Sequence, residues 1–133
     1  MGGERLYRGS CHCGRVAIEA YGQLDSVFIC NCSICSKKGY LHWLVPASAF
    51  RLLTPMSHLA SYCFNTGRAR HHFCRTCGAA PFFIPRGWPG YVDVNVRCLE
   101  GVDPSRLRVE YFDGRRWEES AAVFASRRGL GSC

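Results

Sequence analysis

The sequence lacks any long apolar segment. Its first ten residues, MGGERLYRGS, contain neither the apolar core nor the small-residue cleavage motif of a secretory signal. No apolar run approaches the roughly 18 residues that a membrane-spanning helix needs. We therefore expect a protein of the reducing cytoplasm, with no membrane partner.

Long basic runs are also lacking, although the formal net charge of the 133-residue chain is +7. Basic residues come as close neighbours in short groups such as Lys37–Lys38, Arg68 and Arg70, Arg115–Arg116, and Arg127–Arg128. Scattered basic side chains of this kind are typical of a solvated surface. Seven metal-bound thiolates and two zinc ions would lower the charge by three, to +4. We therefore do not expect nucleic acid as the partner.

Little room is left for long helices, because prolines interrupt the chain at six positions. Short segments instead have the composition or the alternating pattern of β-strands. These predicted strands cover residues 16–20, 26–29, 41–45, 59–64, 69–73, 91–96 and 107–111. Asn65–Gly67 is the expected turn of a hairpin, and helical turns are predicted only near residues 47–50 and 120–126.

The fold class that follows is mainly β, with small sheets in a single domain. Apolar residues make up 47% of the chain, which is enough for a packed core and too much for a disordered chain. We expect one zinc-binding domain over residues 5–120, followed by a C-terminal tail over residues 121–133.

Ten cysteines are the most unusual feature of the composition. In a reducing compartment, closely spaced cysteines bind metal more often than they oxidise. A glycine directly follows each of two pairs, CxC at 11–13 and CxxC at 74–77, and it can take the positive φ that closes a zinc knuckle. The four thiolates of Cys11, Cys13, Cys74 and Cys77 can complete a tetrahedral, structural zinc site. His12 lies between two of them, and a role beside the ligands is favoured over coordination.

A second group, Cys30, Cys32 and Cys35, supplies three sulfurs within six residues and has no fourth ligand nearby in the sequence. Three protein ligands and an open position are typical of a catalytic zinc. Three thiolates leave Zn²⁺ with a net negative charge, so it should activate water poorly but bind a soft thiol well. The alternative is a second closed site of four cysteines, completed by Cys63 or Cys98.

Other polar residues near these groups are candidates for supporting roles. Lys37 and Lys38 follow the three-cysteine segment, and these lysines and nearby arginines could hold the carboxylates of a thiol ligand. His71 and His72 lie on one predicted strand and therefore point to opposite faces. One of them could carry protons near the open zinc, but a packed histidine is the interpretation we favour. Cys133, on a glycine-rich tail, is expected to have no role.

The segments GSCHCGRV, CNCSICSKKG, FNTGRARHHFCRTCG and VNVRCLE resemble the glutathione-dependent formaldehyde-activating enzyme family, whose domain is shared with centromere protein V. The resemblance runs from about Tyr7 to Trp117 and includes the order of the cysteines. It implies an Mss4-like fold of small coiled β-sheets. It also implies carbon–sulfur lyase chemistry, which condenses formaldehyde with glutathione to S-hydroxymethylglutathione or reverses that reaction. The implied zinc ligands are Cys11, Cys13, Cys74 and Cys77 for the structural ion, and Cys30, Cys32 and Cys35 for the catalytic ion.

Together with this resemblance, the sequence predicts a zinc-dependent carbon–sulfur lyase with two zinc ions and a small thiol substrate, for which glutathione is the candidate. A non-catalytic zinc-binding adaptor or a weak nucleic-acid-binding module is the alternative, and a redox or metal-buffering protein is a third interpretation. An exchangeable ligand at the three-cysteine zinc would favour the enzyme. Duplex binding with a steep salt dependence would favour the module.

Overall fold

The computed structural model describes residues 3–64, 67, 69–88 and 90–128, with the side chains of 125–128 excepted. The strands within these residues are β1 Arg5–Ser10, β2 Ala17–Gly22, β3 Ser26–Cys30, β4 His42–Pro46, β5 Phe50–Leu52, β6 Leu59–Tyr62, β7 His71–Cys74, β8 Phe82–Phe83, β9 Tyr91–Asn95 and β10 Arg108–Phe112. The α-helices are α1 Cys35–Lys38 and α2 Trp117–Arg128. Short 3-10 turns cover Ala47–Ala49, Met56–His58, Val96–Cys98, Pro104–Arg106 and Gly114–Arg116.

The strands form three small sheets, which confirms the mainly β prediction. One sheet has the order β1-β2-β5, a second has the order β10-β3-β4-β9-β8, and β6 pairs with β7 alone. The β6–β7 pair is antiparallel, as expected for the predicted hairpin. Asn65 and Thr66 of its expected turn lie outside the described residues. Within the described residues, no helix is both long and apolar enough to span a membrane.

The pairing of β3 with β10 positions the three-cysteine segment. These strands run parallel, with Cys30 opposite Phe112. The chain beyond Cys30 and the chain beyond Phe112 therefore leave the sheet side by side. The backbone N–H of Asn31 continues the pairing by donating to the carbonyl oxygen of Phe112, at 3.3 Å. The loop of residues 31–35 and the turn of residues 113–116 are thus neighbours.

Helix α2 is longer than the predicted helical segment at 120–126. It starts at Trp117 and buries Ala121 and Phe124. It crosses the expected start of the tail at residue 121, and the division of the chain there stays a prediction. Residues 129–133, which include Cys133, lie outside the described residues.

The core has two parts of different composition. The larger part is mostly aliphatic and includes Val16, Ile18, Leu24, Val27 and Val94, all at most 1% exposed. The smaller part is mostly aromatic and surrounds the three-cysteine loop. Its rings belong to Phe28, Tyr40, Phe83, Trp88, Phe112 and Phe124. Fully burying one such ring contributes about 1.5–3 kcal/mol, so this small core can hold the loop and α2 in place.

Candidate metal centres and the adjoining cavity

The first group of cysteines forms a compact cluster at the β1–β2 turn and the end of β7. The sulfur atoms of Cys11, Cys13, Cys74 and Cys77 all lie within 4.8 Å of one another. The distance from Cys13 Sγ is 3.7 Å to Cys11 Sγ and 3.6 Å to Cys74 Sγ. Four thiolates in tetrahedral positions about 2.3 Å from a zinc ion lie about 3.8 Å apart. We call this group the four-cysteine cluster, and its spacing fits a metal ion.

Backbone N–H groups surround the sulfurs of this cluster, as in a knuckle. Those of Thr76 and Cys77 donate to Cys74 Sγ at 3.4 and 3.5 Å, and that of Val16 donates to Cys11 Sγ at 3.3 Å. The backbone N–H of Cys77 is the main cause that lowers the pKa of the Cys74 thiol. Gly14 and Gly78 have the expected positive φ, at 84° and 82°. The turns therefore favour the thiolates that a metal needs.

The second group, Cys30, Cys32 and Cys35, also has its sulfurs within 4.8 Å of one another. Cys30 ends β3, and Cys35 begins α1. Hydrogen bonds from Cys30 and then Cys35 lower the pKa of Cys32 to about 2, while the same contact with Cys32 raises the pKa of Cys30 to about 11. Without a cation the group thus holds one negative charge far more readily than three. Such a donor set fits a soft divalent cation. We call it the three-cysteine cluster.

Neither candidate for a fourth sulfur joins the three-cysteine cluster. Among the described residues, no further His, Cys, Asp or Glu atom belongs to the group. Cys63 is exposed on the β6–β7 hairpin, and Cys98 lies closer to the four-cysteine cluster. Burial raises the pKa of Cys98 to about 11, with a contribution from the charges of Cys11 and Cys77. Within the part of the chain that the structure describes, the cluster therefore has three protein sulfurs. His12 is likewise outside the four-cysteine cluster.

The turn after β10 packs directly on the three-cysteine cluster. A Cβ atom added at Gly114 would overlap Cys30 Sγ and would lie 2.8 Å from Cys32 Cβ. Asn31 joins the two segments: its Nδ2 donates to Asp113 Oδ1 at 3.0 Å, and its Oδ1 accepts from the backbone N–H of Arg115 at 3.1 Å. Position 114 therefore requires glycine, because the cysteines leave no space for a side chain.

A cavity of about 380 Å³ opens beside the three-cysteine cluster. All three cysteines line it, and so do the polar side chains of His42, His71 and Asp93. The aromatic residues of its wall are Phe28, Phe64, Phe83, Trp88, Phe112 and Trp117. Clefts of this size that combine aromatic walls with a few polar groups are typical of small-molecule sites.

His42 and Asp93 form a buried pair in the cavity wall that sequence analysis missed. His42 Nδ1 lies 2.9 Å from Asp93 Oδ2, and the two side chains are 1% and 4% exposed. The antiparallel β4–β9 register places Asp93 opposite Leu44, so His42 is its diagonal neighbour on the same face. Burial raises the pKa of the Asp93 carboxyl, although the His42 ring opposes this effect.

The adjacent histidines of β7 point to opposite faces, as expected. His71 lines the cavity and stacks on Phe83, with ring centroids 4.9 Å apart. His72 lies on the other face, where its Nδ1 is 2.6 Å from Ser61 Oγ and its ring contacts Phe82. Burial lowers the pKa of both rings. His72 therefore has a packing role, whereas His71 belongs to the cavity.

Of the basic residues that the sequence suggested for the carboxylates of a ligand, arginines lie at the cavity and the two lysines do not. Lys37 and Lys38 are exposed and do not line it, and Lys38 Nζ lies 4.9 Å from the centroid of the Phe73 ring. Arg86 and Arg115 do line it. The Arg86 guanidinium is 4.2 Å from the centroid of Trp117. Arg115 Nε donates to the carbonyl oxygen of Asn31 at 3.2 Å.

Comparison with known proteins agrees with the cysteine pattern. A model of the glutathione-dependent formaldehyde-activating enzyme family matches residues 6–120, which include both clusters. A crystal structure of a Rhodobacter sphaeroides protein is 34% identical, with a TM-score of 0.69. The match covers 77% of this chain and 99% of that chain. The chain therefore belongs to the glutathione-dependent formaldehyde-activating enzyme family.

Proposed function

We propose that the protein is a zinc-dependent carbon–sulfur lyase that forms or cleaves the adduct of a small thiol and an aldehyde. S-hydroxymethylglutathione is the adduct we expect. One observation carries the proposal: the three-cysteine cluster lines a cavity of about 380 Å³, and among the described residues it has no fourth protein ligand. Membership in the family supports the same chemistry.

Each cluster has the donor set of a zinc site, and we assign one zinc ion to each. Cys11, Cys13, Cys74 and Cys77 would hold the structural ion, and Cys30, Cys32 and Cys35 the catalytic ion. When bound at the three-cysteine cluster, zinc supplies a soft centre that keeps an incoming thiol deprotonated. Thiolate ligands need a reducing compartment, so a cytoplasmic location is part of the proposal.

The residues of the chain would bind and enclose the substrate. The aromatic wall removes water from the space beside the cysteines, which strengthens electrostatic interactions there. Arg86 and Arg115 supply positive charge at the cavity for the carboxylates of a ligand such as glutathione. Each such contact contributes on the order of 1.5–3 kcal/mol if shielded from water, and about 0.2–1 kcal/mol if exposed.

Calorimetric titration of the zinc-loaded protein with glutathione tests the binding step, with S-methylglutathione as the control. We expect the free thiol to bind and the methylated form to bind at least tenfold more weakly. Equal binding would mean that the sulfur never reaches the cluster. If neither bound at millimolar concentration, glutathione would be the wrong thiol.

Exchange NMR with ¹³C-formaldehyde and glutathione tests the reaction itself. We expect the protein to accelerate adduct formation and cleavage over the spontaneous rate, and the Cys32→Ser variant to lose this acceleration. The non-catalytic alternative predicts no acceleration with any thiol and aldehyde. Its nucleic-acid form also predicts duplex binding that weakens steeply with salt.

A further inference from the structure

One nitrogen of the buried His42–Asp93 pair is left without a partner. Asp93 occupies Nδ1 of the ring. Nε2 is buried, and within the part of the chain that the structure describes nothing hydrogen-bonds to it. A buried polar atom without a partner destabilises a fold, and such atoms are commonly completed by a ligand or by water. Since His42 lines the cavity, Nε2 is the ring nitrogen available to a molecule bound there.

The neighbours of His42 hold its ring in one orientation. The ring stacks on Phe28, with centroids 4.6 Å apart and an interplanar angle of 11°. The Phe83 ring meets it edge to face at 5.6 Å, and Tyr40 contacts it at 5.2 Å. Its backbone lies in β4, a central strand of the five-stranded sheet. A ring fixed by packing and by a carboxylate is positioned before the ligand arrives, as an acid–base group requires.

The cavity also brings this ring into the same space as the three-cysteine cluster. His71 lines the cavity as well, and its Nδ1 is likewise buried without a partner among the described residues. His71, however, has no carboxylate hydrogen-bonded to its ring in that part of the chain. A carboxylate on Nδ1 fixes the tautomer of the ring and stabilises the proton that Nε2 gains. It therefore distinguishes His42 from His71.

We propose that His42 is a catalytic acid–base residue of the lyase reaction and that Asp93 is its positioning residue. This inference rests on the proposed function. As the adduct forms, an electron pair of the thiol sulfur makes the C–S bond, and the carbonyl π pair moves to oxygen. That oxygen takes a proton from His42 Nε2. Cleavage returns the proton to Nε2 and the bonding pair to sulfur. The proton on Nε2 is the one that the thiol gives up as it binds, so each turnover leaves the ring unchanged and needs no oxidant or reductant.

The burial of Asp93 supports such a proton exchange. Because burial raises the pKa of its carboxyl, the pair can carry a proton on the carboxyl group without an isolated imidazolium in an apolar wall. When Nε2 loses its proton, the carboxyl proton moves to Nδ1, and the negative charge then lies on a carboxylate that accepts a hydrogen bond from Nδ1. Both states keep the hydrogen bond between the two residues.

The test compares His42→Gln and Asp93→Asn with the wild-type protein, all zinc-loaded, by exchange NMR across a pH series. For His42→Gln we expect kcat to fall about 100-fold or more, because a general acid contributes about 10²–10⁴-fold. We expect KM for the thiol to change less than about threefold. Asp93→Asn should lower kcat less and shift the pH profile. His72→Gln is the matched control, a buried histidine outside the cavity, and should retain its rate.

A second measurement does not depend on activity. In ¹⁵N-histidine NMR of the wild-type protein, we expect Nδ1 of His42 to carry the proton at neutral pH. The Nε2 signal should shift when S-(2-hydroxyethyl)glutathione, a stable analogue of the adduct, binds. Asp93→Asn should reduce the tautomer preference. If His42→Gln does not fold, this measurement still tests the acid–base role of His42. An analogue that binds but leaves the Nε2 signal unshifted would overturn the proposal.

The two proposals fail in different ways. A folded, zinc-loaded His42→Gln variant with a rate within threefold of wild type would overturn the acid–base role and leave the lyase proposal intact. A large loss in His71→Gln but not in His42→Gln would also overturn it. A wild-type protein that accelerates no thiol–aldehyde reaction would overturn the proposed function, and the role of His42 with it.

Discussion

The two cysteine clusters have similar sulfur spacing but different connections to the fold. The four-cysteine cluster joins distant segments: Cys13 and Cys74, 61 residues apart, have sulfurs at 3.6 Å. The three-cysteine cluster takes all its sulfurs from one loop, between Cys30 and Cys35. A metal in the first cluster would close a long loop and so stabilise the fold, whereas a metal in the second would cross-link only neighbouring residues.

The surroundings of the two clusters also fit a structural role for the first and a binding role for the second. The four-cysteine cluster lies at two tight glycine turns, and none of its cysteines lines the cavity beside the three-cysteine cluster. The three-cysteine cluster lies in the aromatic part of the core and faces the cavity. The spacing of the thiolates therefore indicates where a metal can bind. What a metal does depends on ligand number and on the space beside it.

The largest effect should follow from a change in the four-cysteine cluster. Cys74→Ser removes a buried thiol that we assign to the structural zinc and that links β7 to the β1–β2 turn. Structural zinc contributes about 10–16 kcal/mol in small zinc domains, which is comparable to the whole stability of a domain. We expect the variant to be unfolded by circular dichroism. The Cys63→Ser variant, which changes an exposed cysteine outside both clusters, should fold normally. A folded, cooperative Cys74→Ser variant would contradict the structural assignment.

The matching change in the three-cysteine cluster should affect binding more than stability. Cys32→Ser removes from a single loop a half-buried thiol that we assign to the catalytic zinc. We expect a folded protein that is less stable by about 0.5–3 kcal/mol, the usual range for single substitutions. Native mass spectrometry should find one zinc fewer, and calorimetry should find no thiol binding. If Cys32→Ser destabilised the protein more than Cys74→Ser, the two roles would have to be exchanged.

Gly114→Ala should distort the three-cysteine cluster without removing a ligand. The added methyl group would overlap Cys30 Sγ, so the turn and the loop must separate. Overpacking of this kind costs about 1–3 kcal/mol. We expect loss of zinc from the three-cysteine cluster only, measured as metal content after gel filtration. Gly3→Ala is the control, since its added methyl group has no neighbour within 4 Å. Full zinc content in Gly114→Ala would show that the turn does not support the cluster.

The smallest effect concerns the charges beside the cavity. Arg86→Gln and Arg115→Gln should each weaken glutathione binding by about 0.2–1 kcal/mol, the range for partly exposed ion pairs. Binding of the uncharged thiol 2-mercaptoethanol should change less. Lys37→Gln should leave both affinities unchanged, because Lys37 does not line the cavity. If Lys37→Gln lost more glutathione affinity than the arginine variants, the lysines next to the cysteines would be the groups that bind the carboxylates.

Sequence patterns predicted most of the sheet and the composition of both clusters. β2, β3, β4, β9 and β10 lie where alternation or β-branched residues indicated strands. The predicted strands did not include β1, because the buried positions of this strand do not coincide with its hydrophobic residues. Leu6 is exposed in β1, while the small Gly9 is buried against the carbonyl group of Cys98. Tertiary contacts therefore decided this strand, and the local pattern carried no signal of it.

The cavity could not be predicted, because it depends on pairings between distant segments. His42 and Asp93 are 51 residues apart and meet only through the β4–β9 register. Gly114 reaches Cys30 only because β10 runs parallel to β3. Cysteine spacing is visible locally because ligands of one metal often come from one turn. The two arginines at the cavity had no such local pattern, and the lysines next to the cysteines were therefore misleading.

Zinc counting during a chelator challenge tests the central claim most directly, namely that one cluster is closed and structural and the other is open. Native mass spectrometry would follow the wild-type protein over time, with circular dichroism in parallel. We predict two zinc ions at the start. One should leave early with the fold intact, and the other should leave only as the protein unfolds. A single zinc ion at full occupancy, or two ions that leave together, would contradict the account.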